Sequence, residues 1–384
     1  MRSMEQLRIA WLLPSMARGS YWHPVFSEFA KRFPNTVFYT GLWPGFLPGY
    51  EGRFRIKVVG QTRFLPLGNR WLALPSMQIV FHLLGFRPHV VFVLGFSLWS
   101  IIALALKPLL RYKVVQVYTG SSAAADALSS RIRLFARRAM VRRTEACITN
   151  SQKGKDYLRR VLHAEASRVQ ASPFEVPCVD AFSTQRRTED LQLPHLRHPV
   201  LIVIGRLIPV KGLHLLLQAC AMLREKGVDS FSLLIVGDGP QRRSLERLTV
   251  ELGLESNVHW TGWVEYVKVG SLLLNSDLLV FPTLGDTWGM VVLESMAAGK
   301  AILCSKWAGA AEMVVPGDNG YVFDPYQPES LAELIRKFCD DPRLAESMGN
   351  RSLSLIESHT PARAAGFLAG IVGACTIAAG RTRD

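Results

Sequence analysis

The sequence predicts an α/β protein made of two doubly wound domains facing one another across a cleft. Three observations lead there. Apolar runs of strand length alternate with helix-length stretches throughout, the pattern of parallel sheets covered by helices. A polar, charged segment punctuated by prolines, DAFSTQRRTEDLQLPHLRHP (180–199), interrupts that alternation near the middle. With 384 residues, 49% of them hydrophobic, each half can bury a core of its own. The expected organisation is an amino-terminal domain over 1–180, a linker over 181–198, a carboxyl-terminal domain over 199–360 and a helical tail over 361–384 that packs back toward the first domain.

In chain order the strands are RIAWLL, TVFYTG, HVVFVLG, YKVVQVY and EACITN, then VLIVIG, SFSLLIVG, VHWTG, DLLVFP and AILCS. All are short and rich in β-branched or aromatic residues. The opening run LRIAWLLPSMA is too short for a secretory signal and fits a first buried strand. Two longer apolar stretches invite comparison with membrane spans. Val90 to Leu110 is broken by Gly95, Ser97, Ser100, Lys107 and Pro108 and fits strand, turn and buried helix. AAGFLAGIVGACTIAAG is short for a bilayer and rich in Gly and Ala, so a core or interfacial helix is expected.

Charge divides unevenly. The chain has 45 Lys+Arg against 31 Asp+Glu; 27 and 11 of these fall within the first 190 residues, and 18 and 20 in the rest. Basic residues crowd SSRIRLFARRAMVRRTEA (129–146), where helical spacing puts Arg131, Arg138 and Arg142 on one face and Leu134, Phe135 and Ala139 on another. A solvated face and attraction to anionic headgroups both fit this pattern. Nucleic acid is not expected, since no recognition module accompanies the charge. The six cysteines (147, 178, 220, 304, 339, 375) form no C-x-x-C pair and no metal-ligand spacing, as in a reducing cytosol.

Ligands of doubly wound sheets bind at the carboxyl ends of strands, so the loops there carry the chemistry. In VLIVIGRLIPVKGLHLLLQACAML (200–223) the strand ends at Gly205 and a helix starts near Gly212, with Arg206 and Lys211 bracketing the connection. A guanidinium grips two phosphate oxygens, a lysine adds a mobile charge, and the helix start offers N–H groups. In SLLIVGDGPQRRSLERL (232–248), Gly237, Asp238, Gly239 and Pro240 make a tight turn without a full dinucleotide fingerprint. Asp277 precedes the strand that leads into GDTWGMVVLESMAAGK (285–300). There Asp286 and Glu294 flank an apolar helix expected from Trp288 to Gly299. Three and four positions from Glu294 stand Met290, Val291, Ala297 and Ala298, so the helix supplies no salt bridge. An ionised carboxylate only accepts hydrogen bonds, and a ligand with vicinal hydroxyls would supply the donors.

GRLIPVKG, IVGDGP, SDLLVFPTLGDTWGMVVLESMAAGKAILCS and GAAEMVVPGDNGYVFDP, in this order and at these distances, resemble the carboxyl half of the family-4 retaining glycosyltransferases (glycosyltransferase group 1). The match covers about residues 200 to 325; ITNSQKGKDYLRRVL and ASPFEVPCVDAF resemble the family more weakly. The resemblance implies the GT-B fold, two Rossmann-like domains, and a nucleotide-sugar donor. It implies that Asp286 lies by the donor sugar's hydroxyls and Glu294 by the ribose, and that Arg206 and Lys211 hold the diphosphate and stabilise the leaving group. Asp286, Arg206 and Lys211 are thus the expected catalytic residues. Gly19, Gly205, Thr287, Trp288, Gly289, Met290, Val291 and Glu294 complete the donor site. Asp286 departs from the family's glutamate by one methylene, which leaves the sugar open. UDP is the expected base carrier and GDP the alternative. With no D-x-D triad in the chain, no metal and no cofactor is expected.

The amino-terminal half is expected to hold a glycan or lipid-linked acceptor. Its first loop, PSMARGSYWHPVF (14–26), has one glycine, Gly19, where the family has a glycine-rich loop. VVQVYTGSS (114–122) has Tyr118, Thr119 and Ser121 where many members have a histidine. His23 is expected to stack structurally among Tyr21, Trp22 and Phe26. GLWPGFLPGY (41–50) and the basic excess suit a lipid phosphate and contact with an anionic membrane, placing the enzyme in the cytoplasm at the inner membrane face. A sugar-nucleotide epimerase of the same architecture and a catalytically silent nucleotide-sugar or membrane-binding protein are the competing classes.

Overall fold

The computed structural model describes residues 4–16, 19–60, 63–67, 70–74, 76–178 and 195–377. They form two compact units, Met1–Val176 with Pro361–Asp384, and Pro177–Thr360. The division after Val176 comes four residues before the expected boundary, and most of the expected linker lies outside the described residues.

The first unit carries the strands β1 (Ile9–Leu13), β2 (Thr36–Thr40), β3 (Arg55–Val58), a separate antiparallel hairpin of β4 (Arg63–Leu67) and β5 (Arg70–Leu74), β6 (Val90–Leu94), β7 (Lys113–Val117), β8 (Ala146–Thr149) and β9 (Val169–Ala171). All except the hairpin pair in parallel, in the order β3-β2-β1-β6-β7-β8-β9. Its helices are α1 (His23–Arg32), α2 (Gln78–Phe86), α3 (Leu98–Leu110), α4 (Ala123–Asp126), α5 (Arg131–Arg142) and α6 (Gln152–Asp156). Trp11 anchors the α1 side of the sheet: it stacks on Phe92 at 4.2 Å between centroids and meets Phe26, Phe29 and Phe38. Aromatic rings so arranged add to the burial of their own area. The expected strands β1, β2, β6, β7 and β8 are all present. The sequence signal missed β3, whose RIKV is mostly exposed, and β9, only three residues long.

The second unit carries β10 (Val200–Ile204), β11 (Ser232–Val236), β12 (Val258–Gly262), β13 (Leu278–Phe281), β14 (Ala301–Ser305) and β15 (Gly320–Phe323), with α7 (Leu213–Glu225), α8 (Arg242–Glu251), α9 (Tyr266–Leu274), α10 (Met290–Ala297), α11 (Pro328–Asp340) and α12 (Pro342–Ile356). The sheet is parallel throughout, in the order β12-β11-β10-β13-β14-β15. Chain direction across the sheet reverses between β10 and β13, which makes that position the switch point where such sheets open a crevice. Asp277 is a structural tie at the opposite end of these strands. Its Oδ2 accepts the Val200 N–H at 2.6 Å and lies 2.7 Å from His198 Nδ1, joining the starts of β10 and β13.

The last helix of the described chain, α13 (Pro361–Ile377), belongs to the first unit and packs on α1, with Ala364, Ala365, Leu368, Ile371 and Val372 buried. The helical run Pro342–Ile377, interrupted at 357–360, is long and apolar enough to cross a membrane by length and composition, and a third of its most apolar stretch is buried. Two local expectations change. In α5, Phe135 is exposed whereas Leu134 and Ala139 are half-buried, and Arg138 Nε donates to the Val161 carbonyl at 3.0 Å, so the three arginines do not form one free face. His23 is indeed buried, but among Trp43, Phe46, Tyr50 and Phe54 rather than Tyr21, Trp22 and Phe26. Its Nδ1 accepts the Leu47 N–H at 3.1 Å, and burial holds its pKa down at about 4, so it is a neutral pin for the 41–54 loop.

Candidate active site

The two strands at the switch point deliver the predicted residues. β10 exits through Gly205 into a loop carrying Arg206 and Lys211, and β13 exits through 282–286 to Asp286. These exits lie side by side: the Leu284 N–H donates to the Val210 carbonyl at 2.7 Å, and so does the Thr283 hydroxyl at 3.0 Å. Glycines make the approach possible. A Cβ on Gly212, at φ +67°, would lie 2.1 Å from the Pro282 carbonyl oxygen, and one on Gly239 would lie 2.4 Å from that of Leu207. Gly237 and Gly239 therefore serve the close packing of the β11 turn on the Arg206 loop, where the sequence suggested only a turn between its own strand and helix.

Asp286 is not without a cation. Lys211 Nζ reaches its Oδ2 at 2.6 Å, both side chains being about one-fifth exposed, and the ammonium also lies 5.1 Å from the Phe281 ring centroid. Its own helix has no partner to give, and tertiary folding supplies one 75 positions away. The other oxygen, Oδ1, accepts the Trp288 N–H at 3.2 Å, which removes that donor from the set expected to face a ligand. The 286–288 turn is held from below: the Asp286 N–H donates to Trp307 O, Gly309 N–H to Asp286 O and Ala310 N–H to Trp288 O.

Helix α10 starts two residues later than expected, because Gly289 takes φ +104° at its cap and a Cβ there would press on Phe281. The N–H groups of Met290 and Val291 lie in the first turn of α10, where no preceding helical carbonyl can bond them. Thr287, Met290 and Val291 are partly exposed around this helix start, and Trp288 is buried. Glu294, one turn further on, is 6% exposed. Its carboxylate accepts the Tyr266 hydroxyl at 2.8 Å. Burial nevertheless dominates and pushes its pKa up to about 7, with the tyrosine bond pulling the other way. Arg206 is exposed and has no ion-pair partner among the described residues. Tyr266 and Phe281 are the site residues that sequence reasoning missed. Each acts through a contact between segments far apart in sequence, and no spacing encodes that. Gly19, predicted with the donor site, is in the first unit, where its N–H donates to the Met16 carbonyl at 2.9 Å.

The site thus offers a free guanidinium, a lysine paired to a carboxylate, open helix N–H groups and a buried carboxylate short of donors. This is chemistry for a phosphate flanked by hydroxyl groups. Two family profiles match in the order of the two units: "Glycosyl transferase 4-like domain" over residues 21–174 and "Glycosyl transferases group 1" over residues 186–354. Residues 186–354 thus match the group 1 glycosyltransferases. Among relatives, the chain is 29% identical over 241 residues to the α-D-kanosaminyltransferase of Streptomyces kanamyceticus, covering 62% of each chain. It is 33% identical over 159 residues to the lipopolysaccharide core biosynthesis glycosyltransferase LpsD of Rhizobium meliloti, covering 41% of this chain and 44% of that one. The chain thus spans less than two thirds of these relatives' lengths. Two solved structures share its fold: Anabaena HepE in complex with UDP, with a TM-score of 0.75 at 16% identity over 96% of this chain and 100% of that one, and sucrose-phosphate synthase from Thermosynechococcus elongatus, with 0.77 at 18% over 97% and 100%. This is the GT-B fold that the sequence motifs implied.

Proposed function

We propose that the protein is a retaining, metal-independent glycosyltransferase that moves a hexosyl unit from a nucleotide sugar, UDP-linked, to a glycan or lipid-linked acceptor in cell-surface polysaccharide or glycolipid synthesis. The single observation that carries the reading is the convergence at one switch point of Arg206, the Lys211–Asp286 pair and buried Glu294. The HepE structure with UDP supports the choice of base.

In this mechanism Glu294 accepts the ribose hydroxyls, which replace the donors its burial removes. Arg206 and Lys211 face the diphosphate, and the open N–H groups of α10 face sugar or phosphate oxygens. Asp286 accepts hydroxyls of the transferred sugar while keeping Lys211 aimed. The bond between the anomeric carbon and the phosphate oxygen breaks as the acceptor oxygen bonds to the same face of that carbon. The acceptor's proton leaves with the diphosphate. Negative charge grows on the departing oxygen, and fixed cations beside it lower the barrier more than any other contribution available here. The first unit takes the acceptor, and the reaction runs on the cytoplasmic side of a membrane.

The test is release of nucleoside diphosphate from a panel of UDP- and GDP-sugars, with and without lipid-extract acceptor and EDTA. Acceptor-dependent release that persists in EDTA and is lost in Glu294→Ala is the expected result. Conversion of the nucleotide sugar without acceptor would replace the reading by an epimerase, and absence of binding across the panel would remove it.

A further inference from the structure

We infer that the outer face of α2, α3 and α5 in the first unit is a docking surface for an anionic lipid bilayer. These helices lie side by side on one face of the sheet. Their inner residues Ile79 and Leu83, Trp99, Ala103 and Leu104, and Met140 join one core cluster with β1, β6 and β7. Their outer sides are apolar too. Phe81 on α2 is 72% exposed, Leu109 on α3 69%, and Ile132 and Phe135 on α5 83% and 75%. On α3 the outward positions Ile101, Ala105, Pro108 and Leu109 follow helical spacing, so this helix is apolar nearly all round although it lies at the surface. A helix of that kind in a globular domain is covered by something.

Charge identifies the cover. From Ser76 to Arg143 the chain has ten Lys+Arg and one carboxylate, Asp126. That carboxylate is buried and accepts the hydroxyls of Tyr118 and Ser121, so it presents no negative charge at this surface. Arg131 and Arg133 are exposed beside Ile132. At the end of α3 a groove of about 640 Å³ runs from Ala105 and Pro108 of the apolar stripe to Lys107, Arg111 and Arg143. Glu145 at its edge pairs with Lys107 at 2.9 Å and Lys113 at 3.6 Å, while Arg111 and Arg143 stay exposed to phosphate.

A protein partner needs roughly one directional hydrogen bond per 100–200 Å² of interface, and the outward stripe of α3 has no polar side chain to make them. A bilayer makes no such demand: apolar side chains enter the headgroup boundary and arginines meet lipid phosphates. The surface goes beyond the transferase reading and is tested without any donor.

The full chain is sedimented with vesicles of phosphatidylcholine alone and of phosphatidylcholine with phosphatidylglycerol, at low and high salt. Wild type is expected to bind the anionic vesicles selectively and to be released by salt. The Phe81→Ser/Ile132→Ser/Phe135→Ser variant is expected to partition at least about 100-fold less, and Arg131→Ser/Arg133→Ser about 30-fold less. Unchanged far-UV circular dichroism and an unchanged melting profile of both variants report that the first unit is folded. Failure of wild type to bind anionic vesicles, or binding by the apolar variant equal to that of wild type, overturns the inference. So does light scattering that shows a wild-type dimer dissolved by the same substitutions, since the face then belongs to a second copy.

Discussion

Replacing Glu294 by glutamine keeps the shape of the side chain and its bond from Tyr266 but removes the ability to ionise. In the native protein burial raises this carboxyl from 4.5 to about 7. Between those values the native state holds a proton that the unfolded chain has released, so stability falls as pH rises through the window and levels off above it. The gap corresponds to on the order of 3 kcal/mol lost by pH 8. For a unit of this size that is about 6–12 °C in melting temperature. Wild type and Glu294→Gln should therefore melt together near pH 4 and diverge by that amount at pH 8, the variant being the more stable. Ligand binding should run the other way. If ribose hydroxyls are held by the ionised carboxylate, about one molecule in eleven is competent at pH 6 and ten in eleven at pH 8, a tenfold gain in affinity for UDP. Calorimetric titration across this range, with the variant subtracting the titration of the nucleotide itself, reads that slope. Equal slopes in the two proteins would refute the assignment of Glu294 to the nucleotide, and equal melting curves would refute its burial as a charge.

Lys211→Ala removes the ammonium 2.6 Å from Asp286 and should lower kcat about 10²-fold, with a smaller change in nucleotide affinity; single-turnover kinetics separate the two. Arg206 is exposed and makes no ion pair among the described residues, so Arg206→Ala should leave urea unfolding within about 0.5 kcal/mol of wild type while weakening diphosphate binding in calorimetry. Gly212→Ala should cost about 2 kcal/mol or more in the same unfolding assay, because a Cβ would fall 2.1 Å from the Pro282 oxygen at a left-handed backbone.

The second unit is readable from sequence because β10, β11, β13 and β14 are nearly unbroken apolar runs, and because Arg206, Lys211 and Asp286 stand in loops, and Glu294 on the helix after them, that such a sheet brings together. What escapes is contact across the fold. Nothing in the spacing of Lys211 and Asp286 says that they pair, because the distance between two loop ends depends on how β10 and β13 align. Tyr266 is invisible for the same reason, being the first residue of α9 and meeting Glu294 only through packing. In the first unit, helical spacing in α5 is correctly read but its orientation is not. Phe135 looks like core because it is apolar, yet the residues that turn inward on this helix are Met140 and Val141.

The placement of α13 in the first unit makes the second unit an insertion between Val176 and Pro361. On the ribosome, the whole second unit must emerge before α1 receives the helix that packs on it. Until then the first unit has every strand of its sheet but lacks one of its helices, and the face of α1 that α13 will take is open to chaperones. Lesions within α13 should consequently act as folding defects of residues synthesised first, more than 300 positions earlier in the chain.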